Sequence, residues 1–275
     1  MPTVQAHDLR CAGRVVARYV CDPQLPATVS PRPYLHPVTT LAGTTVTGFM
    51  PADHRHHLGA SIAVPALNEA NFWGGRTYLT GRGPTALDNH GRQQHDRWLH
   101  RSGDRLEQEL TWTRRDGTPL ARERRALTVR GLTDDAWLLQ VDYTLRSATG
   151  DDLTIDSPAA RGRTGAGYGG FFWRAPTGPD QIRAFGQRTD ADVHGSRAPW
   201  VVLSGDAWTL IFLAGSPAAD PWFVRADDYA GVCAAIAWDR PLLIAAGEVF
   251  ARRLRVVIAD GPPTRATIAA AEAWT

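Results

Sequence analysis

The chain contains no lysine: all thirty of its basic residues are arginine. That removes Schiff-base chemistry, pyridoxal phosphate attachment and a P-loop lysine from consideration. Cysteine is scarce and odd in number. Cys11, Cys21 and Cys233 have no C-x-x-C spacing, so they make no zinc-site pattern and fit a reducing compartment. No apolar run approaches the ~18 residues of a membrane helix, and the longest, such as 232–238, are strand-sized. Residues 1–10 hold no apolar signal-peptide core, so a cytoplasmic location with no membrane partner is expected. Net charge is +2, with 30 basic against 28 acidic residues, which marks no nucleic-acid partner. A G-x-S-x-G elbow is missing too, and with it support for a serine hydrolase.

The 275 residues are 43% hydrophobic, with 26 glycines, 19 prolines and 10 tryptophans, enough apolar material for a sizeable core. Short segments rich in Val, Leu, Thr and Trp recur at 14–20, 105–114, 121–130 and 136–146. Turn residues separate them: Ser102-Gly103-Asp104, Asp116-Gly117 and Asp134-Asp135. Asp116-Gly117 between two strand patterns predicts a hairpin. The second half continues with strand patterns at 152–156, 200–203, 207–214, 222–225, 231–238 and 247–259, and only 262–274 reads as a helix. Strands do not alternate with helices, which disfavours a parallel α/β sheet. The expectation is one all-β domain over 1–275, a large antiparallel sandwich with a short C-terminal helix. Long Gly- and Pro-rich loops are expected at 22–33, 48–59 and 158–179, where sites tend to lie on a β scaffold.

The sharpest chemical feature is Asp53-His54-Arg55-His56-His57, three imidazoles beside a carboxylate. Histidine titrates near neutrality, so His54, His56 and His57 are candidate general acids or bases. They are also candidate metal ligands, because His54 and His56 share a face of an extended segment. The plainer alternative is a loop with one backbone-bonded histidine and two solvated ones. In Asn68-Glu69-Ala70-Asn71-Phe72-Trp73-Gly74-Gly75, amide donors beside an aromatic suit a sugar, with Asn71 bonding hydroxyls and Trp73 stacking on the ring; a core Phe-Trp pair before a turn is the alternative. Between Arg161 and Arg174, four glycines precede Gly170 and permit close backbone approach to a ligand. Tyr168 and Arg174 are the candidates there, with Phe171 and Phe172 as core. Alternation puts Glu123 and Arg125 on one face, either as an ion pair or as a catalytic carboxylate with its arginine. Glu248 at a strand mouth is a weaker carboxylate candidate, and His90, His95 and His100 are not one cluster without a bulge.

The ordered motifs Arg32-Pro33-Tyr34-Leu35-His36-Pro37, Asp53 to Gly59, Asn71-Phe72-Trp73-Gly74, Gly169 to Pro176, Pro221-Trp222-Phe223-Val224-Arg225 and Gly247-Glu248 cover roughly 30–262 and resemble the PmoA-like family of bacterial proteins. The methane-oxygenase label of that family belongs to a membrane-integral copper subunit, which this sequence cannot be. The same strings are similar to galactose mutarotase-type β-supersandwiches, whose members set a histidine acid and a carboxylate base around a sugar. The resemblance implies a carbohydrate-active enzyme (epimerase, lyase or hydrolase) or a non-catalytic sugar-binding or sensing protein. The family supplies no agreed catalytic residues; from the clustered titratable groups and aromatics themselves, His54, His56 or His57 with Glu123 are the expected acid–base set, and His36, Asn71, Trp73, Arg125, Tyr168, Arg174 and Trp222 the expected substrate-binding residues. No cofactor is expected; the alternative is a divalent metal on the three histidines.

Overall fold

In the computed structural model the described residues are 5–176, 181–184, 190–216, 219–226 and 229–274. Among them, seven strands form one sheet in the order Gln5–Cys11, Arg14–Asp22, Tyr34–Val38, Ala60–Ala63, Gly170–Arg174, Gly231–Ala235, Trp222–Arg225. Eight form a second, in the order Gln181–Ala184, Trp200–Gly205, Trp208–Ser216, Phe250–Asp260, Ala136–Ser147, Pro119–Thr133, Arg105–Thr113, Arg92–Arg101. The strand ladders are antiparallel, as the missing strand–helix alternation requires.

The sheets share one core. Tyr19, Leu35, Ile62, Phe171, Trp173, Trp222 and Val232 come from the first, and Trp112, Leu127, Trp137, Tyr143, Phe212 and Val256 from the second. Period-two alternation does the sorting: Trp137, Leu139, Val141, Tyr143 and Leu145 all enter this core from one strand, while Gln140, Asp142 and Thr144 take the other face. The Asp116-Gly117 hairpin forms as expected. Gly117 has φ +88°, and the Thr118 amide donates to Asp116 Oδ1 at 2.9 Å.

The C-terminal helix is Arg265–Glu272, shorter than the 262–274 expected, because Thr264 caps it by accepting from the Thr267 amide at 3.0 Å and Pro262-Pro263 stay outside. Ala271, Ile268 and Trp274 cover Leu138, Val202, Ile211 and Val257 on the outer face of the eight-stranded sheet. One expected loop is corrected. The stretch 158–179 contains the strand Gly170–Arg174, buried at every position in the middle of its sheet. A strand covered on both faces shows no alternation to read. Residues 177–179 of that stretch lie outside the described residues. Among the described residues no helix is long and apolar enough to cross a membrane.

Candidate functional site

The outer face of the seven-stranded sheet, away from the shared core, carries a second aromatic cluster. Ala63, Phe172, Phe223, Cys233 and Ala235 project outward, and Trp73, Tyr168 and Tyr229 pack on them. Above it lies a cavity of about 240 Å³ lined by His54, His56, His57, Trp73, Gly74, Arg76, Arg163, Ala166, Tyr168, Phe223, Arg225 and Tyr229. At ~30 Å³ per water that is room for roughly eight waters, the scale of one small ring.

The histidine loop folds over this face as a turn closed by its own backbone: the His54 amide donates to Pro51 O at 3.0 Å and the His57 amide to His54 O at 2.9 Å. His57 is buried, its ring 4.8 Å from Phe172, and His54 stacks on it at 4.6 Å. His54 Nδ1 lies 2.7 Å from Asp53 Oδ2, and that hydrogen bond is the leading reason the Asp53 carboxyl sits below its usual range. Arg174 donates to His57 Nδ1 at 3.3 Å, leaving Nε2 as the protonated nitrogen. The same guanidinium sits 4.4 Å from the Tyr229 ring centroid and 3.6 Å from Asp53. Burial, then neighbouring imidazoles and Arg174, drive the His57 pKa far down. Burial, then Arg32, pulls His56 down to about 3. Both rings are therefore neutral at pH 7. Burial also raises the pKa values of Tyr168 and Tyr229.

The loop and the Trp73 turn depend on one another. Asn71 Oδ1 accepts from the Trp73 and Gly74 amides, each at 2.8 Å, and its Nδ2 donates to Thr77. Asn71 thus builds the turn that presents Trp73, an Asx-type role. A Cβ on Gly74 (φ +100°) would stand 2.7 Å from His56 Cβ and from Val29 O, and one on Gly75 3.0 Å from the His56 ring. The Gly-Gly pair exists to let the chain pass His56. His90 supports the turn from behind, its Nε2 2.7 Å from Gly75 O. Arg32 joins the two segments: wholly buried, it donates to Val29 O, Ser30 O, Trp73 O, His56 O and Ser61 Oγ at 2.8–3.1 Å. Burial, with Arg125 adding to it, lowers its pKa to about 9, so it stays charged at neutral pH.

His54, His56, His57, Trp73, Tyr168 and Arg174 are therefore brought together, with Asn71 behind them. The other candidates lie elsewhere. Glu123 and Arg125 do share a face, but it is the interior between the sheets. Arg125 Nε and Nη2 donate to Glu123 at 2.6 and 2.8 Å, Trp112 Nε1 donates to Glu123 at 2.7 Å, and Gln93 Oε1 accepts from Arg125 at 2.8 Å. Each is 2% exposed, so neither reaches the cavity, and the complementary carboxylate beside the histidines is Asp53. Trp222 points into the shared core and donates to Ala198 O at 2.8 Å, while its neighbours Phe223 and Arg225 face the cavity. His36 lies against Thr47 and Phe49, apart from the cavity wall. Glu248 closes a turn on the Ala245 amide. For the metal alternative, no group of three His, Cys, Asp or Glu among the described residues is arranged to hold an ion; His54 and His57 stack instead.

Sequence reasoning missed Arg32, Arg76, Arg163, Phe223, Arg225 and Tyr229 as site residues, and gave Asp53 only as the carboxylate adjacent to the histidines. Parity was the available signal for Phe223 and Arg225, which stand on the face opposite Trp222.

Fold and site together define an antiparallel β-sandwich bearing a small imidazole- and arginine-lined cavity on the outside of one sheet. The chain belongs to DUF6807, a family of unknown function whose model matches residues 6–273. Comparison with curated proteins finds no match.

Proposed function

We propose that the protein is a carbohydrate-active enzyme that moves a proton on a sugar or oxidised sugar, in the manner of an epimerase, lyase or hydrolase. The observation that carries this reading is the Asp53–His54 pair at the edge of a small cavity walled by Trp73, Tyr168 and Tyr229. Asp53 holds Nδ1–H of His54, which leaves Nε2 free to accept a proton; the carboxylate then stabilises the imidazolium, which returns the proton. His57 donates a hydrogen bond through Nε2–H, and the aromatic faces take the C–H faces of a sugar ring. The galactose mutarotase-type resemblance supports the substrate class by analogy of scaffold. The cytoplasm is the proposed compartment, in keeping with three free, buried cysteines.

The test is NMR of a panel of aldoses, ketoses and sugar acids incubated with enzyme in D2O. Solvent deuterium should enter a carbon-bound position, or the anomeric or skeletal signals should change. His54→Asn and His57→Gln, folded by circular dichroism, should lose at least 100-fold in rate, on the order of what a general acid–base residue contributes. Full activity in His54→Asn would end the assignment. A sugar-binding or sensing protein is the second reading, favoured by the neutrality of His56 and His57. It predicts sugar affinity with no chemical change.

A further inference from the structure

Among the described residues, the charges around the cavity are segregated in a way the whole chain is not. With 30 basic and 28 acidic residues the chain is nearly balanced. Yet the described cavity wall holds the guanidiniums of Arg76, Arg163 and Arg225 and three imidazoles, with no carboxylate. Arg161, on the same loop as Arg163 but outside the wall, shows the contrast: it is paired with Asp156 at 2.6 Å and Glu69 at 2.8 Å. Arg163 and Arg76 have no carboxylate partner among the described residues. Arg225 is half-buried and held from behind. Its Nη1 donates to Val224 O at 3.1 Å and its guanidinium carbon sits 4.4 Å from the Phe223 ring, yet it too lacks a carboxylate among the described residues. A fourth guanidinium, Arg174, stands behind His57, and its carboxylate contact among the described residues is the half-exposed Asp53 at 3.6 Å. Guanidiniums gathered around a cavity without carboxylate partners attract an anion placed between them.

Resting on the sugar-directed reading above, we infer that the ligand is a monosaccharide acid, its carboxylate held by Arg163 and Arg225 and its ring resting against the wall formed by Trp73 and Tyr168, whose own rings pack together at 4.6 Å. The guanidinium fork matches a carboxylate's two oxygens.

The test is isothermal titration of the full chain with D-glucuronate, D-gluconate and 2-keto-D-gluconate, against D-glucose and D-glucose 6-phosphate. At least one acid should bind at least tenfold tighter than glucose, with affinity falling as salt rises. Arg163→Gln, an exposed side chain that leaves the fold alone, should weaken that acid about 10- to 100-fold, the scale of a lost charge-assisted contact, and leave glucose binding within twofold. Arg225→Gln should do the same, with its melting point taken alongside. Acids that bind no tighter than glucose overturn the inference, as does an acid whose affinity is unchanged in Arg163→Gln and Arg225→Gln. Tighter binding of the phosphate ester than of every acid overturns the carboxylate assignment. The outcomes separate the two readings. Arginine-dependent acid binding without any bond change sustains the inference and removes the acid–base enzyme. Turnover of neutral sugars that needs His54 but not the arginines does the reverse.

Discussion

Arg32→Met should be the most informative single substitution for the architecture of the site. Methionine keeps the apolar stem of the side chain but ends short of the guanidinium position and removes every donor. Four carbonyls then lose a charged donor, two of them on His56 and Trp73, the residues that set the loop against the turn. An unsatisfied buried acceptor costs about 1–3 kcal/mol. Relief from burying a cation without a carboxylate offsets part of that. A net loss of about 4 kcal/mol follows, a large fraction of the ~5–15 kcal/mol that holds a domain folded. At ~2–4 °C per kcal/mol for a chain of this size, Tm should fall by about 8–16 °C in a calorimetric scan. The loss should also be local. Hydrogen exchange should rise at the amides of 54–59 and 73–75 and stay unchanged along Ala136–Ser147, which belongs to the other sheet. Arg32→Lys, with one compact ammonium in place of a five-donor fork, should recover less than half of the loss. A Tm within 2 °C of the parent for Arg32→Met, or uniform exchange across both sheets, would refute the role given to Arg32.

Gly74→Ala should cost about 2–4 kcal/mol, because its Cβ would overlap His56 and Val29 O at a φ of +100°; urea melts check this, and a neutral result would mean the turn can move off the loop. The His56 and His57 pKa values lie below 6.5 in the folded state, so the unfolded chain binds more protons between pH 6.5 and about 3. Stability should be complete above pH 6.5 and fall on acidification by up to about 1.4 kcal/mol per pH unit for each ring. Urea titrations at pH 7.5 and 5.0 should show this slope, and His57→Gln should reduce it. Glu123→Gln leaves Arg125 charged in the interior and should cost about 3–5 kcal/mol. Because the pair is remote from the cavity, ligand affinity of the folded variant should be unchanged; a catalytic defect without a stability defect would return Glu123 to the site.

Much of the fold was legible in the residues, for reasons of period. The strands Arg105–Thr113, Pro119–Thr133 and Ala136–Ser147 each have one face in the core and one toward the surface, so apolar and polar residues alternate and turn residues mark their ends. Legibility failed where both faces are covered. Gly170–Arg174 is buried throughout, and its run of aromatics after a glycine-rich stretch reads as a loop entering a core.

The same physics explains which parts of the site could be foreseen. The histidine loop, Trp73 and Arg174 were visible because their residue types are unusual together. Glu123 and Arg125 looked like chemistry because a carboxylate and a guanidinium two residues apart share a face, which is as true of a core ion pair as of an active site. Nothing local distinguishes the two. The deciding fact is which side of which sheet the face belongs to, and that is set by pairing across the whole chain. Trp222 and Phe223 make the point at one step of a strand. Trp222 enters the shared core and Phe223 the outer cluster beneath the cavity, and a one-residue slip in register would exchange them. In a sandwich whose site lies on the outer face of one sheet, the residues adjacent to the most prominent aromatics deserve the functional assignment, and Arg225, on the Phe223 face, inherits it by that argument.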